Sequence, residues 1–182
     1  LTGEDIPVEL KKYANRAVTN KEQKAKTAME EIDSLIGFEG VKEKLRKLME
    51  LGRAAKEPGM EDLLDSINLN WILKGNPGTG KTTLAKILGR IYKEIGLLER
   101  GHVIKVTRAD LVGRYIGHTA QNTKEYIEKA MGGVLFVEEA YTLKRSADTG
   151  KDFGQEAIDT LKKKKKNKKG EFAVIFAGYP KE

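Results

Sequence analysis

One stretch limits what this chain can fold into more than any other: Gly75-Asn76-Pro77-Gly78-Thr79-Gly80-Lys81-Thr82. It satisfies the G-x-x-x-x-G-K-[ST] pattern of a phosphate-binding loop, which has meaning only between a strand and a helix. Both neighbours are present. Upstream, Ile67, Leu69, Trp71 and Leu73 alternate along 67–74 as the inward positions of a strand do, and downstream Leu84, Ile87, Leu88, Ile91 and Ile95 share one helical face. Gly75, Gly78 and Gly80 let the backbone curl so that successive N–H groups point at phosphate oxygens, with Asn76, Pro77 and Thr79 completing the loop. Lys81 reaches the β- and γ-phosphates, the Thr82 hydroxyl sits on Mg²⁺, and the positive end of the following helix faces the anion. The expected ligand is ATP or ADP with Mg²⁺.

Composition narrows the setting. At 182 residues the chain suits one α/β domain with a modest extension. No run approaches the ~18 apolar residues of a membrane span and no secretory signal is visible, so a soluble, cytoplasmic protein with no membrane partner is expected. The absence of cysteine excludes disulfides, thiolate catalysis and Cys-ligated zinc, and leaves only His102 and His118 as imidazoles. The net charge of +7 suggests nucleic acid until it is located. Without Lys162 to Lys166, Lys168 and Lys169, 27 basic residues face 27 acidic ones, so the excess is one local run and not a basic face.

In chain order, residues 1–33 carry two short helical patterns. Leu10, Tyr13, Ala14 and Ala17 form the first; Ala25, Ala28, Met29 and Ile32 form the second, with Asn20 and Gln23 as a capping box. This part is expected to be a helical N-terminal extension or linker, and residues 34–182 the main domain. Val41, Leu45, Leu48 and Met49 mark a helix closed by Glu57-Pro58-Gly59, and 102–107 a second strand. Asp110 to Gly117 reads as loop, and a helix follows from Thr119 through Met131. Val134 to Val137 is a continuous apolar run, as in a strand buried on both faces of a parallel sheet, and it ends in Glu138-Glu139. Residues 144–152 read as polar loop, 153–161 as helix and 172–177 as another buried strand.

Carboxylates at the carboxyl end of such a strand lie where α/β proteins bind ligands. A phosphate loop needs an acidic element to complete the Mg²⁺ site and orient water, so Glu138 is assigned to the metal and Glu139 to the base, with Lys81 as its catalytic partner.

Gly75 to Thr83, Leu35-Ile36-Gly37, Tyr115-Ile116-Gly117, Val134 to Tyr141 and Asp152 to Leu161, with Ala177-Gly178-Tyr179, together resemble the AAA+ ATPases of the red-type rubisco activase and stage V sporulation protein K family. The resemblance implies a P-loop NTPase sheet in the order 5-1-4-3-2 sandwiched by helices. It also implies nucleotide contacts at Ile36, Gly37 and Thr83, a loop at Tyr115, Ile116 and Gly117 that grips a protein substrate, a sensor at Tyr179, and assembly of the full-length protein into a homo-oligomeric ring.

This chain departs from the family in three ways. Glu138 stands where Asp is usual, and Mg²⁺ tolerates little change of geometry. The lysine run occupies positions that should continue the apolar face of the helix after Asp152, so those lysines must snorkel or the last turns fray. The fifth strand, the arginine finger and the helical lid are not found after Tyr179, so a partial core, monomeric and weakly active by itself, is expected. Asp152-Phe153-Gly154 also spells a protein-kinase motif, but the His-Arg-Asp catalytic loop is missing. The preferred reading is a protein remodeller of the sporulation type. The alternatives are the rubisco-activase type, a nucleic-acid loader or switch using Lys162 to Lys169, and a small-molecule P-loop kinase; nucleic acid is not the expected partner.

Overall fold

The computed structural model describes residues 27–35, 37–115, 117–144, 153–167 and 171–179. The first pattern expected in the extension, Leu10 to Ala17, lies outside them, as do the Asn20 and Gln23 box and the polar loop after Lys144.

Four short strands, β1 (Trp71–Lys74), β2 (Val103–Val106), β3 (Val134–Val137) and β4 (Ala173–Gly178), form one sheet in the order β1-β4-β3-β2. All pairings are parallel, with Trp71 opposite Ile175 and Val134 opposite both Ala173 and Val103. This is the order implied for strands 1 to 4 of an AAA+ sheet.

β3 shows why its run is continuously apolar. Val134 and Phe136 face one hydrophobic cluster, Leu135 and Val137 the other, and all four are buried. Period-two alternation persists, but both faces are dry. The first cluster is covered by α1 (Ala28–Ser34), α2 (Glu39–Ala54) and α3 (Lys81–Glu94). The second is covered by α4 (Arg108–Leu111), α5 (His118–Ala130), a 3₁₀ turn at Ala140–Lys144 and α6 (Phe153–Asn167). In α3 the expected face, Leu84, Ile87, Leu88 and Ile91, is buried, with Ile95 just past its end.

The helix expected around Ala28 begins at that residue. Its cap is a capping box of Thr27 and Glu30, each side chain bonded to the other's backbone N–H. Ala28 and Ile32 are fully buried in the first cluster, and Glu31 pairs with Arg90 of α3. α1 thus crosses the expected boundary at residue 33 and packs on the same core as the sheet.

Three sequence expectations change length. β1 starts at Trp71, not at Ile67, because the Asn70 side chain takes the place of a ladder carbonyl, its Oδ1 accepting from Val174 N at 3.3 Å. The stretch read as loop from Asp110 begins inside α4, which takes in Asp110 and Leu111 and which Thr107 and Asp110 cap reciprocally. α6 runs on through the lysines to Asn167, with Leu161 buried, Lys162 and Lys163 exposed, and Lys164 3.9 Å from Glu128 of α5.

Candidate nucleotide site

The chain leaves β1 at Gly75, whose N–H donates to the Gly178 carbonyl at the end of β4. The loop is therefore anchored to the neighbouring strand before it turns. Gly78 (φ +74°) and Gly80 (φ +89°) occupy the left-handed region, and Gly80 is the N-cap of α3. Thr79 Oγ1 donates to Asn76 O at 2.7 Å, which closes the loop on itself.

Beneath the loop is a cavity of about 570 Å³. Pro77 to Thr82 form one wall, Glu138 and Glu139 a second, and Ala177 to Tyr179 a third, with Thr107 and Phe136 between them. The structure thus brings together Lys81, Thr82, Glu138, Glu139 and Tyr179 at the carboxyl ends of the parallel strands, where a doubly wound sheet binds ligand.

Lys81 Nζ donates to the carbonyls of Gly75 and Gly178 and lies 5.0 Å from the centroid of the Tyr179 ring. The Tyr179 ring in turn sits 5.7 Å from that of Tyr141. Glu138 Oε1 pairs with Lys105 Nζ of β2 at 3.0 Å, while the Glu138 N–H donates to Val106 O. Glu139 has φ +47°, one of two non-glycine residues with positive φ among those described. Its carbonyl accepts from both N–H and Oγ1 of Thr142, at 2.8 and 2.7 Å.

No group of three or more His, Asp or Glu side chains capable of caging a metal occurs among the described residues. Oxygen donors on the cavity walls include the Thr82 hydroxyl and the Glu138 carboxylate, the latter paired with Lys105. A hard oxygen pair of this kind fits Mg²⁺, which usually takes one or two protein ligands and completes its shell with water and phosphate.

Other expected residues lie elsewhere. Thr83 is exposed on α3 and does not line the cavity, and neither does Gly37 (φ +82°), just before α2. Ile36 and Ile116 lie outside the described residues. Tyr115 is 68% exposed, its ring edge-on to His118 at 5.5 Å, and Gly117 caps α5. Gly113 N–H donates to Thr119 Oγ1 at 3.0 Å, and Thr123 Oγ1 to Leu111 O at 3.3 Å, so the loop bearing Tyr115 is tied to α5 at its root.

Sequence reasoning missed Lys105, Thr107 and Tyr141. Thr107 carried a signal, a Thr followed three residues later by Asp at a strand end, which is a capping pattern. Its N–H and Oγ1 both donate to Asp110, and Asp110 also accepts from the Tyr126 hydroxyl at 3.4 Å. The Asp110 charge holds that phenol above its ordinary pKa. Lys105 and Tyr141 carried no such signal, because each meets a partner distant in the chain, Glu138 and Tyr179.

The family model described as "ATPase family associated with various cellular activities (AAA)" matches residues 71–181. Stage V sporulation protein K of Bacillus subtilis is 44% identical over 155 residues, which are 84% of this chain and 47% of that protein. Protein CbbX of Cereibacter sphaeroides is 44% identical over 159 residues, 85% of this chain and 50% of that protein. A chloroplastic ribulose bisphosphate carboxylase/oxygenase activase of Cyanidioschyzon merolae is 40% identical over 163 residues, 87% of this chain and 55% of that protein. The chain spans about half the length of the curated relatives it matches.

Proposed function

The chain belongs to the AAA family of ATPases, and on that premise we propose that it binds ATP with Mg²⁺ in the cavity under Gly75 to Thr82 and hydrolyses the γ-phosphate there. The observation that carries this reading is the convergence of Lys81, Thr82, Glu138 and Glu139 on one cavity. Loop N–H groups and the α3 N-terminus hold the phosphates, while Lys81 exchanges its carbonyl partners for phosphate oxygens and so keeps its donors satisfied. Thr82 and Glu138 would hold Mg²⁺, whose charge would offset that of the phosphates during transfer. Glu139 orients the attacking water and draws off its proton.

In the whole protein, we place this chemistry in a cytoplasmic ring of like subunits that pulls on a protein substrate through the exposed Tyr115. The preferred type is that of stage V sporulation protein K; the activase type rests on the same site residues. Among the described residues nothing favours a nucleic-acid contact, and Lys164 of the lysine run lies 3.9 Å from Glu128.

The test is Glu139→Gln in the ATP-hydrolysing protein. A base is needed only in the reaction, so affinity for ATP stays within about twofold while turnover falls on the order of 10²-fold or more. Turnover at the parent rate would remove Glu139 from this role.

A further inference from the structure

We infer that Arg108 is a positioning residue for Glu139, acting through Thr142, and that residue 154 is glycine because a Cβ there would overlap the Leu143 carbonyl and crowd the arginine beside it. The inference rests on the reading of Glu139 as the base.

Glu139 is held at φ +47°, a conformation unfavourable for a non-glycine residue that persists only where neighbours enforce it. The enforcing neighbour is Thr142, which donates two hydrogen bonds to the Glu139 carbonyl. Thr142 is held in its turn: its own carbonyl accepts from Arg108 Nη1 at 2.7 Å. Arg108 opens α4 directly after β2, so a cationic donor rooted in the sheet grips the turn that aims the carboxylate. A bond from a guanidinium is stronger than one between neutral groups and directional as well.

Gly154 completes the arrangement. Its φ is not among the positive ones, so its backbone conformation does not demand glycine. Space does. A Cβ there would overlap the Leu143 carbonyl oxygen and stand 2.5 Å from Arg108 Nη1. Gly154 lies in the first turn of α6, and its lack of a side chain lets that helix press on the 3₁₀ turn without displacing the guanidinium. The Asp152-Phe153-Gly154 stretch, which resembles a kinase motif only in spelling, thereby acquires a physical reason for its glycine.

The experiment compares Arg108→Met and Gly154→Ala with the parent in the ATP-hydrolysing protein, measuring kcat, KM for ATP and ADP affinity. Displacing a catalytic group by about an ångström costs up to ~10²-fold, so kcat falls at least about tenfold in both variants, while KM and ADP affinity stay within about twofold. Arg108→Lys, which keeps a cationic donor, recovers part of the loss. In a Glu139→Gln background, Arg108→Met lowers turnover no further. If Arg108→Met does not fold, Thr142→Val deletes one of the two bonds to Glu139 and carries the same expectation.

Parental kcat in Arg108→Met and Gly154→Ala, alongside an inactive Glu139→Gln, overturns this inference alone. An additive loss in the Glu139→Gln background, or a fall in ADP affinity matching that in kcat, overturns it as well. Parental turnover in Glu139→Gln overturns the base assignment and this inference together.

Discussion

Lys81 Nζ lies 5.0 Å from the Tyr179 ring centroid while donating to the carbonyls of Gly75 and Gly178. The lysine proposed to meet phosphate is thus held beforehand by two dipoles and a π-face. Phosphate must outcompete all three. A cation–π contact at a partly exposed site contributes about 0.5–1 kcal/mol, so Tyr179→Leu should tighten ADP binding about two- to fivefold. ADP is the probe because it lacks the γ-phosphate that a sensor at Tyr179 would read. Unchanged or weaker ADP binding by calorimetry would show that the ring does not restrain Lys81.

A second prediction concerns packing at Gly89, inside α3. Alanine there gains about 1 kcal/mol of helix propensity, but its Cβ would overlap the Gly101 carbonyl oxygen, a backbone atom that cannot swing aside. Overpacking typically costs 1–3 kcal/mol, and here it forces a helix away from the strand entry at β2. Gly89→Ala should therefore lower the urea midpoint. A raised midpoint would show that propensity wins and that the close approach is soft.

Much of this arrangement was legible in the sequence. The phosphate loop carries its own context, and β3 announced its double burial by an unbroken apolar run. The order of strands came from resemblance, since no local period encodes which parallel strand lies beside which. Contacts between distant side chains left no trace. Lys105 meets Glu138 across adjacent strands, and Arg108 meets the Thr142 carbonyl 34 residues away in the chain. The extent of β1 was misjudged for a related reason, since Asn70 accepts from Val174 on a distant strand, a bond that exists only once the fold is in place; the loop after β2 was misjudged because the local Thr107–Asp110 capping pattern was overlooked.

Tyr92 predicts a pH dependence. Burial pushes its phenol up to about 12, while its hydroxyl accepts from Trp71 Nε1 at 2.7 Å. In the unfolded chain the phenol ionises near pH 10. Stability from this group is fully present below pH 10 and is lost as pH rises through about 12, because the unfolded state then binds fewer protons than the folded one. The loss amounts to roughly 2–3 kcal/mol. Tyr92→Phe should be less stable at neutral pH yet show a shallower decline between pH 10 and 12. Identical slopes in denaturant titrations of the two proteins would exclude Tyr92 as the source.

Tyr115 faces solvent and takes no part in the nucleotide cavity. Tyr115→Ala should therefore leave ATP affinity within about twofold and, on the proposed reading of a substrate-gripping loop, abolish substrate-coupled work in the assembled protein. Loss of ATP binding in a still-folded variant would place the residue in the nucleotide site instead.

The central claim is that the cavity beneath Gly75 to Thr82 binds nucleotide through Lys81, and calorimetric titration of ATP with Mg²⁺ into the parent and Lys81→Ala proteins tests it most directly. Lys81 is the one loop side chain that brings a positive charge to a site otherwise built from backbone dipoles, and a charged hydrogen bond to phosphate is among the strongest a protein makes. The parent should bind one ATP per chain and the folded Lys81→Ala protein none at the same concentrations, whereas undiminished affinity in Lys81→Ala would contradict the account.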